Sequence, residues 1–338
     1  MIKLSICIPT YNRAQHLSNC LQSLISMRKP KGFQFEICIS DNGSNDNTKE
    51  IVDKAKEDID INYSKNKTNL GIARNFLKVV SMAKGEFVWL IGDDDLLLPH
   101  ALDTLEVLFR KHKTVNFFYI NSYLLDKDYI LSFPQPFDIS KLPSKMDKFS
   151  LYKKSQELNS LELINPKVSF DFLGGMFLSI FKRNMWLDNV SILNNEAIKD
   201  ARVFSHFDNT FPHVKIFSVA FSKSKAYFQS DPLSVCLSGA REWAPMNPLV
   251  SSVRLVEALD EYRKNGLNYF QYINCKNYAL SNIIPHLLKM FLNKEKSGFI
   301  YIDPTKHILN NMLYPNFYFS PIYYFIRKVK LVTRMLVN

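Results

Sequence analysis

The chain has 338 residues, which is enough for one large domain or two modest ones with a substantial core. Hydrophobic residues make up 46% and charged residues 22%, the composition of a soluble globular protein, which excludes a low-complexity chain. The net charge of +11 favours an anionic partner, and nucleic acid, nucleotide diphosphates and anionic lipid headgroups all qualify.

The cysteines and the apolar runs give expectations about the compartment. The five cysteines are scattered and form no CxxC pair, so we expect neither a disulfide framework nor a zinc site. The strand-like start MIKLSICIP predicts no signal peptide, and no apolar run approaches the roughly 18 residues of a membrane span. We therefore expect a cytoplasmic protein with reduced thiols.

The first 120 residues alternate between strand-like and helix-like segments. The predicted strands are residues 4–8, 33–40, 60–64, 86–91 and 115–121, and the predicted helices are residues 14–27, 47–56 and 71–84 and a helix beginning near Pro99. Such alternation predicts an α/β fold whose mainly parallel sheet is covered by helices on both faces.

The alternation ends near residue 122. Residues 126–150 read as a long loop, and Gly174-Gly175 indicates a close backbone approach. HFDNTFPHVKIF reads as a helix, and the chain reads as helical from about Pro248 onward.

Three polar clusters directly follow predicted strands. They are Pro9-Thr10-Tyr11-Asn12-Arg13, Asp41-Asn42-Gly43-Ser44 and Gly92-Asp93-Asp94-Asp95. Ligands of open α/β sheets bind outside the carboxyl ends of the strands. We therefore expect all three clusters at one edge of the sheet, in one site.

The adjacent acids Asp93, Asp94 and Asp95 repel one another, and neither a helix nor a strand requires them. Carboxylates at the end of a buried strand suit Mg²⁺ or Mn²⁺. The alternative is that they open the helix near Pro99, since acids favour a helix N-terminus, but this explains only one or two of them.

Two further candidates are ambiguous when taken alone. Asp41 is equally suited to a turn, because Asp and Asn favour turns. Arg74, followed by Asn75 in GIARN, could bind phosphate at a helix start or be an exposed helix residue.

Taken together and in order, four segments resemble the inverting glycosyltransferases of family 2, which have the GT-A fold. The segments are SICIPTYNRAQHLSNCLQSL, FEICISDNGSNDNT, NKTNLGIARNF and GEFVWLIGDDD. FLGGMFLSIFKR and FPHVKIF are similar to bacterial O-antigen abequosyl- and rhamnosyltransferases. The resemblance implies transfer of a sugar from a nucleotide-diphosphate donor to a hydroxyl of a glycan acceptor in surface polysaccharide synthesis.

The resemblance also implies roles for individual residues. It assigns the nucleotide pocket to the set Pro9, Thr10, Tyr11, Arg13, Asp41, Arg74, Asn75, Asp93 and Asp94, and the metal to Asp94 and Asp95. Gly92 stands where the family pattern Asp-x-Asp-Asp has its first acid. Asp93-x-Asp95 also has the spacing of an Asp-x-Asp pair, so both assignments of the metal ligand stay open.

Inverting transfer requires a base that takes the proton of the acceptor hydroxyl. The candidates are Asp208 and His213 jointly, with Asp171 and His206 behind them; His213 could equally be a core or capping histidine. Arg241 and Trp243 in CLSGAREW could face the acceptor or the diphosphate, or belong to a structural loop.

The resemblance divides the chain into three parts. Residues 1–122 and 123–245 are the nucleotide-sugar half and the acceptor half of the GT-A domain, and 246–338 are a helical region. The last segment, PIYYFIRKVKLVTRMLVN, has basic residues and no acid, so it could lie on an anionic membrane surface or pack on the core. The first reading suits a polyprenyl-diphosphate-linked acceptor.

Other classes of function lack their defining residues. PTYNRA has no glycine for a dehydrogenase fingerprint, and no GxxxxGK[ST] indicates a P-loop enzyme. Basic residues are spread along the chain without a nucleic-acid-binding motif, so we expect no nucleic-acid partner. A catalytically inactive family member that binds a nucleotide sugar or a partner protein is the remaining alternative.

Overall fold

The computed structural model describes residues 1–240 and 243–337, without the side chains of residues 331, 332 and 334–337. Within these residues one mixed sheet has the strand order β3-β2-β1-β4-β9-β6-β10-β5, with β7 beside β6 and β8 beside β10. The strands are β1 (Leu4–Thr10), β2 (Phe35–Asp41), β3 (Ile61–Lys65), β4 (Phe87–Leu90), β5 (Leu96–Leu97), β6 (Phe117–Asp126), β7 (Asp147–Lys148), β8 (Gln156–Asn159), β9 (Ser179–Lys182) and β10 (Lys225–Ser238).

Helices flank the sheet and form the last quarter of the chain. They are α1 (Ala14–Ile25), α2 (Thr48–Ala55), α3 (Ile72–Met82), α4 (Ala101–Lys111), α5 (Lys127–Leu131), α6 (Arg183–Leu187), α7 (Asn195–Lys199), α8 (Phe207–Thr210), α9 (Pro212–Ala220), α10 (Asn247–Leu249), α11 (Leu255–Lys264), α12 (Tyr269–Ala279), α13 (Ile283–Leu292), α14 (Lys294–Ser297) and α15 (Pro315–Val337). The π-helical turn Val250–Arg254 joins α10 to α11.

The sheet carries a separate apolar core on each face, because side chains of a strand alternate between faces. On β1, Leu4, Ile6 and Ile8 pack in the core that also contains residues of α1 and α4. Cys7 lies in the other core, which includes residues of α3 and α9. Burial on both faces explains why the first strand reads as a continuous apolar run.

The predicted α/β class is confirmed. Strands β1, β2, β3 and β4 pair in parallel, as do β6 and β10. The parallel pairing of β1 with both β2 and β4 brings the loops after these three strands to one sheet edge.

Two features of the sheet differ from the sequence-based expectation. Strand β9 inserts between β4 and β6 and is antiparallel to both. Strand β10 was not predicted, because polar residues and Pro232 interrupt its pattern. Pro232 lies where the register with β6 shifts, so the strand accommodates a residue that cannot donate a ladder hydrogen bond.

Later segments also add detail to the prediction. The predicted loop of residues 126–150 contains the short helix α5, and HFDNTFPHVKIF forms α8 and α9, as expected for a helical segment. Strands of residues 1–122 and of residues 123–245 lie in the same sheet. Among the described residues, no helix has both the length and the apolar character that crossing a membrane requires.

Candidate functional site

A cavity of about 790 Å³ opens at the carboxyl ends of β1 and β4. Its polar end is lined by the loop after β1 and by the acidic motif Gly92-Asp93-Asp94-Asp95. The rest of its lining, which we call the apolar wall, includes Phe149, Phe170, Phe177, Phe204, Phe211, Trp243 and Val250. The cavity is large enough for a ligand with both a charged and an apolar part.

Arg13 lies at the centre of the polar end. Its Nη1 atom is 2.9 Å from Asp93 Oδ1, and its Nη2 atom is 3.3 Å from Asp94 Oδ2. Nη2 also donates to the carbonyl oxygen of Ala240 at 2.8 Å, and Thr10 Oγ1 donates to Asp93 Oδ2 at 2.7 Å. The guanidinium therefore offsets the mutual repulsion of the acids, which the sequence left unexplained.

Close packing around Gly92 explains why this position of the acidic motif has no side chain. The backbone N–H of Gly92 donates to Asp95 Oδ2 at 2.7 Å. A Cβ atom at position 92 would lie 2.7 Å from Asp94 Oδ1 and 3.1 Å from Asp95 Oδ2. The carboxylates fold back over the glycine, so any side chain there would displace Asp94.

The acidic motif fits a divalent cation whose remaining ligands are oxygens of a bound diphosphate. The Asp94 side chain lines the cavity and is 12% exposed, whereas Asp93 and Asp95 are almost fully buried. In the described part of the chain, no group of three or more His, Cys, Asp and Glu residues could by itself hold a metal ion. Mg²⁺ needs only one or two protein carboxylates when phosphate oxygens complete its shell.

Asp41 supports the cavity from behind. It is fully buried and does not line the cavity. Its Oδ1 accepts from the backbone of Ser44 at 2.7 Å and its Oδ2 accepts from the Tyr63 hydroxyl at 2.6 Å. Burial and the Asp41 carboxylate raise the pKa of Tyr63, which keeps this hydroxyl a donor.

Asn75 and Arg74 are neighbours with opposite surroundings. Asn75 lines the cavity, is buried, and exchanges two hydrogen bonds with Ser40, at 2.7 and 2.9 Å. Arg74 is exposed and does not line the cavity. Pro9, Thr10 and Tyr11 all line it.

Asp171 is a further carboxylate that lines the cavity. Ser169 Oγ donates to its Oδ1 at 2.8 Å, and the N–H of Gly175 donates to its Oδ2 at 2.7 Å. A Cβ atom on Gly174 or Gly175 would come within 2.9 Å of Asp171 oxygens. The predicted close approach at the glycine pair is therefore an approach to Asp171.

His213 is a buried, neutral member of the apolar wall. Its Nε2 atom lies 3.0 Å from the carbonyl oxygen of Gly174; since a carbonyl only accepts, Nε2 carries the proton. Nδ1 is buried and has no hydrogen-bond partner among the described residues. Burial lowers the pKa of His213 to about 4, although the Gly174 and Leu173 carbonyls act in the opposite direction.

Asp208 and His206 do not join this wall. The Asp208 carboxylate lies 2.7 Å from Lys215 Nζ and accepts from the backbone of Asn194 at 2.6 Å, outside the cavity lining. His206 Nε2 lies 3.3 Å from Asp200 and is also outside it. The expected joint action of Asp208 and His213 lacks support, because the Asp208 carboxylate is engaged in an ion pair outside the cavity.

Most residues of the apolar wall carried no recognisable signal in the sequence. Trp243 lines the cavity and packs edge-on against Phe204, with ring centroids 5.2 Å apart. Arg241 lies outside the described residues. The wall also includes Met246, Val250 and Leu255 around the π-helical turn, residues that a helical pattern alone would place in a core.

Comparisons with known proteins find similar chains. Residues 5–156 match the model of glycosyl transferase family 2. The abequosyltransferase RfbV of Salmonella typhimurium is 44% identical over 105 residues, which is 30% of this chain and 31% of RfbV. The chondroitin synthase of Pasteurella multocida is 26% identical over an alignment of 353 positions that includes 92% of this chain and 36% of the synthase.

Solved structures share the fold at low sequence identity. TarS 1–349 of Staphylococcus aureus in complex with UDP has a TM-score of 0.55 at 18% identity, covering 84% of this chain and 72% of that one. The mannosyltransferase PcManGT of Pyrobaculum calidifontis, in complex with GDP-Man and Mn²⁺, has a TM-score of 0.51 at 14% identity, covering 97% and 86%.

The fold is that of the GT-A glycosyltransferases, with a helical region at the C-terminal end. Residues 5–156, which are just under half of the chain, are similar to glycosyltransferase family 2. The chain spans about a third of the length of the curated relatives RfbV and chondroitin synthase.

The lowered pKa of His213 predicts a loss of stability in mild acid. Below its ordinary pKa of 6.5 the unfolded chain binds a proton that the folded chain rejects down to about 4. The free energy of unfolding should therefore fall as the pH falls from 6.5 towards 4, with a His213 share of up to about 3 kcal/mol. Denaturant unfolding of the wild type and of His213→Gln across this range measures that share. Parallel curves for the two proteins would contradict it.

Proposed function

We propose that the chain is an inverting glycosyltransferase that moves a sugar from a nucleotide-diphosphate donor to a hydroxyl of a glycan acceptor. The observation that carries the proposal is that Arg13, the acidic motif and Asp171 all line one cavity. The titles of TarS structures name UDP and UDP-GlcNAc as ligands, and that of PcManGT names GDP-Man and Mn²⁺. These names support a nucleotide-sugar donor here.

The donor would bind at the polar end of the cavity. The Tyr11 side chain is 36% exposed at the cavity and offers a ring face to a base, beside Pro9 and Thr10. Arg13 has a guanidinium that can move towards an anionic diphosphate, and Asn75 offers polar atoms nearby. Asp41 would act through Ser44 and Tyr63 by fixing the loop after β2, and Arg74 would reach only a part of the donor outside the cavity.

Asp171 is the residue that we propose as the base. In a direct displacement the acceptor oxygen bonds to the anomeric carbon, the bond to the diphosphate breaks, and a base takes the acceptor proton. A carboxylate becomes neutral when it takes this proton, which suits an apolar wall. His213 would become a buried cation, which its lowered pKa opposes, so its Nδ1 atom is suited to accept a hydrogen bond from a hydroxyl.

The acidic motif would hold Mg²⁺ or Mn²⁺ through Asp94, with Asp95 behind it. When bound, such an ion stabilises the negative charge that develops on the departing diphosphate. Arg13 contacts both Asp93 and Asp94, so it fixes the position of these carboxylates and lowers the local negative charge that would repel the donor.

The acceptor is proposed to be a lipid-linked glycan of bacterial surface polysaccharide synthesis. The names of three bacterial relatives support a glycan or polymer acceptor: RfbV is named an abequosyltransferase, and a second relative is a chondroitin synthase. The third, TarS, is named a poly(ribitol-phosphate) β-N-acetylglucosaminyltransferase. Helix α15 exposes Tyr318, Ile322 and Phe325 beside basic residues and could lie on an anionic membrane surface at the inner face of the membrane.

Asp171→Asn and Asp208→Asn form a matched pair that tests the assignment of the base. Asp171→Asn should lower kcat by about 10²- to 10⁴-fold, since it removes the proton acceptor. Asp208→Asn should lower thermal stability, because Lys215 loses its ionic partner, and leave kcat of the folded enzyme within a few-fold of the wild type. The measurement is release of the nucleoside diphosphate, with product analysis, using the donor that stabilises the protein in a thermal-shift screen.

The proposal fails if the wild type transfers no sugar from any UDP-, GDP-, CDP- or dTDP-sugar with a divalent cation. The assignment of the base fails if Asp171→Asn keeps wild-type kcat. If kcat falls only in Asp208→Asn, and the stability of that variant is unchanged, Asp208 is the base.

Gly92→Ala tests the position of the Asp94 carboxylate. The new Cβ would displace Asp94 Oδ1, which is the flexible end of a side chain, so the free energy of unfolding should change little. The Mn²⁺ concentration for half-maximal activity should rise about tenfold or more in both Gly92→Ala and Asp94→Asn. Asp53→Asn, on the exposed face of α2, is the control. Wild-type metal dependence in both variants would contradict the role of Asp94.

A further inference from the structure

An exposed apolar surface lies between α13 and the turn after α14, and we call it the rim patch. It consists of Leu288, Phe291, Leu292 and Ile300, which are 58%, 51%, 76% and 79% exposed. The Phe291 ring packs edge-on against Phe299, the neighbour of Ile300, with centroids 5.6 Å apart. This contact joins the two parts of the patch into one surface. Contiguous exposed apolar surface of this kind marks an interaction site.

The rim patch is attached to the wall of the cavity. Lys296 on α14 lines the cavity, as does Met246. Gly298 has a φ of +74°, and a Cβ atom there would lie 2.7 Å from Leu249 and 2.9 Å from Met246. The turn that carries Ile300 is therefore pressed directly onto the helix that forms the cavity wall. What binds to the patch is held beside the cavity.

Lysines border the apolar surface. Lys289, Lys294 and Lys296 lie in residues 288–301 with one acid, Glu295, and all three are exposed. The Lys294 Nζ atom lies 4.1 Å from the centroid of the Phe291 ring. Lysines that cover an apolar surface with their stems and keep their ammonium groups in water are typical of side chains at a membrane interface.

We propose that the rim patch docks on a bilayer surface rich in anionic headgroups. Leu288, Phe291, Leu292 and Ile300 enter the boundary between headgroups and acyl chains, and the three lysines contact the headgroups. Docking at this place sets the Lys296 side of the cavity at the interface, where a lipid-linked acceptor would present its glycan. This last consequence rests on the proposed function; the docking itself does not.

The charge of the patch favours a bilayer over a second copy of this chain. Two copies facing each other through the rim patch would bring six lysines and two glutamates together, which opposes association. An anionic bilayer neutralises the same lysines. The location of the rim patch also distinguishes it from α15. Helix α13, which carries most of the patch, packs against residues next to the cavity wall.

Vesicle flotation of the full chain without nucleotide or acceptor tests the docking. The vesicles contain either equal parts of phosphatidylglycerol and phosphatidylcholine or phosphatidylcholine alone. The wild type should bind the anionic vesicles. The triple variant Phe291→Ser, Leu292→Ser, Ile300→Ser should bind them at least about tenfold more weakly. The double variant Lys289→Glu with Lys294→Glu should also weaken binding.

Two matched controls locate the effect. Tyr269→Ser with Phe270→Ser removes aromatic residues of similar exposure, 54% and 75%, from α12, and should bind anionic vesicles like the wild type. Phe325→Ser with Ile326→Ser removes exposed residues of α15 and measures that helix separately. The thermal unfolding midpoint and the binding of a sugar nucleotide verify that each variant is folded.

The outcomes separate the possibilities. Wild-type vesicle binding by the triple variant overturns the proposal, whether or not the α15 variant loses binding. A wild type that ignores both kinds of vesicle but forms a dimer, which the triple variant disrupts, makes the patch an interface between copies and also overturns it. Failure of sugar transfer alone, with vesicle binding that depends on the patch, counts against the proposed function and supports the docking.

Discussion

The polar end of the cavity depends on the ion pairs of Arg13 with Asp93 and Asp94. One guanidinium joins the loop after β1, the acidic motif after β4 and the end of β10, where it binds the carbonyl oxygen of Ala240, 227 positions away in the chain. The parallel pairing of β1 with β4 makes this contact possible by bringing both loops to one edge. Without the Arg13 guanidinium, these adjacent and largely buried carboxylates would repel one another and a negatively charged ligand.

Neutral donors hold the carboxylate of Asp171 in the apolar wall. Asp171 is oriented by Ser169 and by the N–H of Gly175, and the glycine pair leaves room for its oxygens. Around it the wall is apolar, and His213 stays neutral because charging it there costs free energy. The acidic motif and the single carboxylate of Asp171 thus line one cavity in different surroundings: the motif lies beside an arginine, and Asp171 accepts from Ser169 and Gly175. This difference suits the acidic motif to an anionic donor and suits Asp171 to accept a proton.

Much of the fold could be predicted from periodicity, because each segment of the first 120 residues buries its own apolar face. The placement of the polar clusters after β1, β2 and β4 followed from the same reasoning. The pattern could not show which side chains turn into the cavity: Asp41 faces Ser44 and Tyr63, and Asp208 faces Lys215. These outcomes depend on contacts between distant segments, as does the antiparallel insertion of β9. Strand β10 was not predicted, because Pro232, which lies at a register shift, interrupts its strand-like pattern.

The central claim is that Arg13 and the acidic motif form the binding end for a nucleotide-diphosphate sugar. Calorimetric titration of UDP-, GDP-, CDP- and dTDP-sugars with Mn²⁺ into the wild type and Arg13→Ala tests it most directly, with Arg28→Ala as an exposed control. The account predicts that at least one sugar nucleotide binds the wild type and Arg28→Ala with equal affinity. Arg13→Ala should bind it at least about tenfold more weakly. Equal binding by folded Arg13→Ala, or no binding of any sugar nucleotide by the wild type, would contradict it.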